Sequence, residues 1–365
     1  MSVMSLGSKV IAGTALAFVA LVVVGVLVLG VRARTPPHRD ASGAVVAGSI
    51  AVLERIELGG LEQWITIRGV DVRNPVLLWL HGGPGSPQMP LAHALDRRLE
   101  ECFVVVHWDQ RGAGKSNHGA FDEATMRLER YLDDALELIA HLRARLGRER
   151  IVLLGHSWGT QLGIELVAAH PELFEAYLGV SQVVDHDRAT ELAAEWLRQT
   201  IDPARSPDDL RALEAIPIPA RRHADYRALA RLVDAYGGNS DVPFARLASI
   251  ALRAPEYTVN DYLLLLRGMQ RGGGPLHEGG VMTSFDYVRD VPKVEVPIAF
   301  LIGANDRNTP LALAAAYLDA IDAPAKELVV FEDAAHLPFL AAPERFGDEV
   351  IRLAAPPHGT LLGRP

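Results

Sequence analysis

The stretch "IVLLGHSWGTQLGIELVAAH" (151–170) sets one serine, Ser157, between glycines two residues away on either side, Gly155 and Gly159. Gly-x-Ser-x-Gly between an apolar run and a helix-like stretch is the pattern of a nucleophile elbow. The turn is so tight that side chains two residues either side of the serine would collide, which explains both glycines. It lifts the hydroxyl clear of the backbone and aims the amino end of the next helix at it. The chemistry this suits is nucleophilic acyl transfer, and a serine hydroxyl needs a base for it. His156 is next in sequence, but an elbow sends adjacent side chains in different directions, so the base is expected from a loop elsewhere.

The chain order that goes with this elbow is serine, acid, histidine. "KELVVFEDAAHLPF" (326–339) reads as a strand whose following loop carries His336. "IAFLIGANDRNTP" (298–310) reads as a strand ending near Asp306, the expected acid; Asp185, after "GVSQVV", also follows a strand-like run and is the alternative. The acid would hold the imidazole in the tautomer that accepts the serine proton. Acyl transfer also needs donors for the developing oxyanion. One is expected from the backbone N–H of Trp158, the other from "HGGPGSP" (81–87), at Gly83 with Gly82 as the alternative. "WDQRGAGKS" (108–116) ends like a phosphate loop but has Asp109 where the first glycine of that motif must stand. Asp109 and Arg111 are expected to form an internal ion pair that braces the loop.

These residues need a scaffold that brings strand ends together. "PVLLWLHG" (75–82), "CFVVVHW" (102–108), "RIVLLG" (150–155), "AYLGVSQ" (176–182), "VPIAFLIG" (296–303) and "KELVVFE" (326–332) are short, nearly continuous apolar runs. Such runs suit strands buried on both faces of a mostly parallel sheet. "AVLERIELGG" and "EQWITIRG" read as an antiparallel pair before them. Amphipathic helices are expected at 126–147, 160–169, 310–320 and 341–353, which makes an open α/β sheet. From 185 to 290 no core strand is found and the pattern is helical, so this stretch is expected to form a lid over the carboxyl edge of the sheet, where ligands bind in such folds.

Composition narrows the function. The net charge is −9 with no basic block, so nucleic acid is not expected as a partner. The single cysteine, Cys102, cannot form an intramolecular disulfide and reads as a buried, inert thiol. No Cys/His cluster has metal-ligand spacing, and no metal or cofactor is expected. Residues 10–31 carry no charge and, at about 1.5 Å per residue, would span roughly 33 Å as a helix. The run is longer than a signal-peptide core and ends at "RARTPP", so an uncleaved single-pass membrane anchor (1–31), seated in the lipid bilayer through 10–31, is expected, followed by a linker (32–49). Flanking charges leave its orientation open. The remaining divisions are a core of 50–184 and 291–355, a helical cap of 185–290 and a tail of 356–365.

Taken together, the chain resembles the α/β-hydrolase superfamily, and within it the proline iminopeptidase-like serine peptidases. The residues that carry the resemblance are His81-Gly82-Gly83-Pro84-Gly85, Asp109 through Ser116, and Gly155-His156-Ser157-Trp158-Gly159, with Asp306 and His336 on the acid and base loops. It covers roughly residues 50 to 355. It implies an α/β-hydrolase fold and release of an N-terminal residue, typically proline, from short peptides without a metal or cofactor. It also implies that acidic lid residues hold the free amine, and Glu191, Glu195, Glu214, Glu256 and Glu278 are available for this. An esterase or amidase of other small molecules fits the same core motifs, and a catalytically silent binding protein is the rival outside the enzymes.

Overall fold

The computed structural model describes residues 33–119, 121–240 and 242–355. The sheet begins with an antiparallel hairpin, β1 (Ile50–Leu58) and β2 (Leu61–Gly69), in which Leu58 faces Leu61 across Gly59 and Gly60. Both glycines have positive φ, 54° and 72°, the conformation a two-residue hairpin turn demands. The strands that follow are β3 (Val76–Leu80), β4 (Val104–Asp109), β5 (Ile151–His156), β6 (Phe174–Val180), β7 (Ile298–Gly303) and β8 (Lys326–Phe331). They form one sheet in the order β1-β2-β4-β3-β5-β6-β7-β8. The β2–β4 pairing is antiparallel and every pairing from β4 to β8 is parallel.

Every residue of β3, β4, β5 and β7 is buried, as expected for strands covered on both faces. Period-two alternation divides them between two cores. On one face Leu78, Leu80 and Leu153 pack with Tyr131, Leu138 and Leu162 from the helices Leu128–Leu146 and Trp158–Ala169. On the other, Leu77, Trp79 and Leu154 pack with Phe346, Val350 and Leu353 from the helix Pro343–Ala354.

Between β6 and β7 the chain leaves the sheet and forms helices His186–Thr200, Pro207–Glu214, His223–Ala235, Phe244–Ala251 and Val259–Arg271, then the short turns Gly274–Glu278 and Tyr287–Asp290. The first three share a small core of their own around Ala194, Leu197, Leu213, Leu229 and Val233. The two ends of the segment meet at a bridge between Asp185 and Asp286, and the Tyr287 N–H donates to the Val184 carbonyl at 2.9 Å. Entry and exit therefore share one neck at the carboxyl end of β6.

The expected membrane anchor, residues 10–31, lies outside the described residues, as does the tail, 356–365. Among the described residues no helix is long and apolar enough to cross a membrane. The single-pass membrane localisation is corrected to that statement, and the bilayer as a partner is unsupported. The longest described helix, Leu128–Leu146, shows why it is no span: it buries Tyr131, Leu138 and Leu142 and carries charged residues along the rest of its length. Its apolar surface is a stripe, whereas a lipid-facing helix is apolar all round.

Candidate active site

Ser157 stands at the carboxyl end of β5, at φ 52° and ψ −118°, the left-handed half of backbone space that a serine rarely enters. Its flanking glycines are required by close approach. A Cβ on Gly155 would lie 2.5 Å from the Gly159 carbonyl oxygen, and one on Gly159 would lie 2.1 Å from the Leu80 oxygen. The only other described non-glycine residue with positive φ is Ser181, φ 51°, at the end of neighbouring β6. Strain is thus concentrated at one rim of the sheet, where functional sites store it.

His336 lies on the loop after β8 and Asp306 on the loop after β7. The Ser157 Oγ–H donates to His336 Nε2 at 2.9 Å, and the His336 Nδ1–H donates to Asp306 Oδ2 at 2.8 Å. The two loops touch because Gly303 ends β7: a Cβ there would sit 2.0 Å from the Ala335 carbonyl. Asp306 is fully buried, and its lone pairs are filled. Oδ1 accepts from the backbone N–H of Asn308 and of Thr309, each at 2.9 Å, and Oδ2 also accepts from the Thr309 hydroxyl at 2.6 Å. Burial pushes the carboxyl up, but the charge and hydrogen bond of His336 and the bonds from Thr309 outweigh it, so Asp306 sits below the usual carboxylate range. Sequence reasoning missed Thr309; the signal that could have found it is the Asx-turn pattern at Asp306, whose carboxylate accepts from Asn308 two residues on and then from Thr309.

The backbone of His336 is held as firmly as its ring. Its N–H donates to the Asn239 carbonyl at 3.1 Å, from the helical segment, and its carbonyl accepts from the Ser181 hydroxyl at 3.1 Å. The same carbonyl accepts from His156 Nε2–H at 3.0 Å. His156 thus turns away from the serine and braces the loop that carries His336. Burial, then the neighbouring His336, lowers the His156 pKa to about 3, so its ring is neutral in the folded protein. Buried His81 is likewise lowered to about 4.

A pH dependence of stability follows. An unfolded histidine takes a proton near pH 6.5, whereas folded His156 takes one only near 3. Between these values the unfolded chain binds more protons, so stability falls as pH falls below about 6.5, by up to about 1.4 kcal/mol per pH unit for each such group. The depressed Asp306 carboxyl acts in the same sense at lower pH. His156→Gln, which retains a donor for the His336 carbonyl and cannot titrate, is expected to show a shallower loss between pH 7 and 5 in denaturant unfolding. Equal slopes for both proteins would contradict this account.

The loop 81–87 closes the other side. Gly82 lies against the elbow: a Cβ on it would be 2.8 Å from His156 Nδ1 and 3.2 Å from Ser157 Cβ. Gly83, at φ 112°, lines the space above Ser157 together with Trp158. As first residue of its helix, Trp158 has an N–H with no carbonyl partner inside that helix. The Gly83 N–H donates to no described backbone carbonyl. Two free amides therefore border the serine. The three glycine-rich motifs are also joined by side chains. His81 Nε2 accepts from the Gln110 N–H at 3.2 Å, and Gln110 Oε1 accepts from the Trp158 indole at 3.0 Å. They sit at the carboxyl ends of β3, β4 and β5, adjacent in the sheet.

Other expectations come out differently. Asp185 does not reach His336; its side chain accepts from the Arg188 N–H at 3.0 Å as the N-cap of His186–Thr200. Asp109 and Arg111 do not pair. Arg111 turns to Asp134, with Nε 2.9 Å from Oδ2, while Asp109 accepts from the Lys115 N–H at 2.8 Å and from the Tyr257 hydroxyl. The reason is competition after the turn that ends β4: the Arg111 guanidinium also reaches the Leu58 and Gly59 carbonyls, while the turn Gly114–Ser116 brings the Lys115 N–H onto Asp109. Burial pushes Asp109 up to about 7. Cys102 is half-buried, ending the helix Leu99–Cys102; burial and then Glu101 raise its thiol pKa, which keeps it a poor nucleophile. Of the lid acids, Glu191 and Glu195 pair with Arg188, and none of the five borders the two cavities at Ser157. Among the described residues no group of three His, Cys, Asp or Glu side chains is placed to hold a metal.

A family profile described as the alpha/beta hydrolase fold matches residues 75–343. The chain belongs to the α/β-hydrolase family. Within that family it is similar to a probable aminopeptidase of Bacillus subtilis (strain 168), 31% identical over 312 residues that cover 84% of this chain and 97% of the relative. It is also similar to a proline iminopeptidase of Heyndrickxia coagulans, 25% identical over 281 residues, 74% of this chain and 87% of the relative. Among solved structures, the proline iminopeptidase of Mycobacterium smegmatis superposes with a TM-score of 0.61 at 23% identity, over 83% of this chain and 97% of that one. This α/β hydrolase is thus one of the proline iminopeptidase-like serine hydrolases.

Proposed function

We propose that this α/β hydrolase releases the N-terminal residue of short peptides through an acyl-enzyme on Ser157, with His336 as base and acid and Asp306 as its orienting carboxylate. The observation that carries the reading is the single line of hydrogen bonds from Ser157 Oγ through His336 to Asp306, 2.9 and 2.8 Å, bordered by two free amides. His336 Nε2 takes the Ser157 proton as Oγ attacks the substrate carbonyl carbon. The N–H groups of Trp158 and Gly83 receive the oxyanion. The imidazolium gives that proton to the leaving nitrogen, and the C–N bond breaks. Water, deprotonated by His336, then attacks the acyl-enzyme, and the proton returns to Ser157 as the product leaves.

We assign residues 185–290 as a helical cap on a core of 50–184 and 291–355. The names of the relatives support a peptide substrate, and one carboxylate, Asp185, lines the smaller cavity at Ser157. In this reading it faces the substrate ammonium. A panel of aminoacyl-anilides, N-acetylated aminoacyl-anilides and short acyl esters tests it. Free-amine anilides, proline among them, are expected to turn over best, and Asp185→Asn is expected to raise their KM about tenfold without changing KM for the esters. Turnover of esters alone, with no response at Asp185, would replace the peptidase by an esterase. A fluorophosphonate that fails to label Ser157 in folded protein would remove catalysis altogether.

A further inference from the structure

Two cavities meet at Ser157, and they differ in size and chemistry. The smaller, about 60 Å³, is bordered by Trp158, Gln161, Gln182, Asp185 and Thr190. The larger, about 470 Å³, is walled by Leu247, Leu265, Met269, Leu337, Phe339 and Leu340, with no carboxylate, lysine or arginine among its lining residues. Gly83 and Ser157 border both, whereas His336 borders only the larger.

That last asymmetry assigns the two halves of a substrate. A leaving group departs with the proton His336 Nε2 delivers, so its first atom must be within hydrogen-bond reach of that nitrogen. We infer that the larger cavity is the leaving-group site, and that this enzyme selects peptides whose second residue is large and apolar. The acyl part, the residue to be released, occupies the smaller and more polar cavity. The inference rests on the acyl-enzyme chemistry proposed above and adds the substrate class to it.

The wall is a fixed part of the fold. The helix Val259–Arg271, which carries Leu265 and Met269, is clamped to the core along its length. Lys115 Nζ lies 2.7 Å from Asp261, the Asn117 amide donates to the Leu264 carbonyl at 2.8 Å, and Arg271 donates to the Asn117 side chain at 2.9 Å. It also approaches the loop 81–87 through bare backbone: a Cβ on Gly85 would lie 2.5 Å from the Gly268 oxygen. Met269 is 49% exposed and Leu266 beside it 53%, so the cavity opens to solvent past an apolar rim. A leaving chain longer than one residue can continue there.

The test uses the full chain and peptides with N-terminal proline and glycine, leucine, phenylalanine or aspartate second. Each apolar methylene buried is worth about fourfold in kcat/KM, so Pro-Leu and Pro-Phe amides are expected to exceed Pro-Gly amide by at least about tenfold, with Pro-Asp amide lowest. Met269→Asp, at the half-exposed rim, is expected to reduce the Leu-to-Gly ratio about tenfold, and Met269→Leu to preserve it. The ratio is the readout, since any general loss of activity cancels. A ratio near one in the parent enzyme, or one unchanged by Met269→Asp, would overturn the inference. If no peptide turns over while fluorophosphonate labels Ser157, the peptide reading fails alone, and esters decide the cavity. Octyl acetate, with its chain on the leaving side, is then expected to exceed ethyl octanoate; the reverse order would overturn the assignment. Absence of labelling removes both.

Discussion

Ser157→Ala is expected to lower kcat by about 10⁶-fold on any substrate the enzyme turns over, with little change in Tm. The hydroxyl oxygen is the attacking atom, and its one described partner is His336 Nε2 at 2.9 Å. Alanine leaves His336 poised with nothing to activate. The free amides of Trp158 and Gly83 survive, so some acceleration over water remains. Stability is spared because the serine side chain caps no helix amide. The backbone bonds of the turn, Ser157 N–H to the Val180 carbonyl at 3.0 Å and Thr160 N–H to the Ser157 carbonyl at 2.7 Å, do not involve it. Alanine also bears the positive φ at much the same cost as serine. Steady-state kinetics beside thermal unfolding checks both halves. Residual activity within about 100-fold of the parent would mean that the nucleophile is another group.

The next largest effect is expected at the acid. Asp306→Asn should cost about 10⁴-fold in kcat while leaving KM nearly unchanged. The size follows from the hydrogen-bond directions. The backbone N–H groups of Asn308 and Thr309 both point at Oδ1 and cannot rotate away. The carbonyl oxygen of an asparagine must therefore take that position, which turns its NH₂ toward His336 Nδ1. A donor there forces the imidazole proton onto Nε2, the atom that must accept from Ser157. The Thr309 hydroxyl can rotate to accept instead, so the fold tolerates the change. Asp185→Asn supplies the contrast: asparagine is as good an N-cap as aspartate, and kcat should stay within about threefold. A large loss of kcat at Asp185 with little at Asp306 would exchange their roles.

Much of this was legible without coordinates, for a reason that differs between elements. The strands declare themselves because burial on both faces demands unbroken apolar runs, as in "VLLWL" and "IAFLIG", and all residues of both are buried. The elbow is legible because its constraint is local and steric: a Cβ at Gly159 has no room, so the requirement is written into the sequence at that position. Boundaries were less legible. The run from Cys102 was expected as strand, but its first residue ends a short helix and β4 starts at Val104. The short helix Met89–Leu95, with seven residues, offers too few turns for a periodic pattern to show.

What the sequence determined by itself is the set of chemical groups and the local geometry that presents each one: a serine on a forced turn, glycines where backbone must approach, a histidine and aspartates after apolar strands. What only the tertiary structure decided is which distant groups meet. Asp185 and Asp306 both follow core strands, and nothing local says that one caps a helix while the other touches His336 Nδ1. Arg111 finds Asp134 rather than its near neighbour Asp109, and His336 is held by Asn239 from the helical segment. Sequence patterns report contacts within a turn or two. Hydrogen-bond partners of a buried charged or polar group are set by how whole strands and helices pack, because such a group must be satisfied by whatever that packing brings within reach.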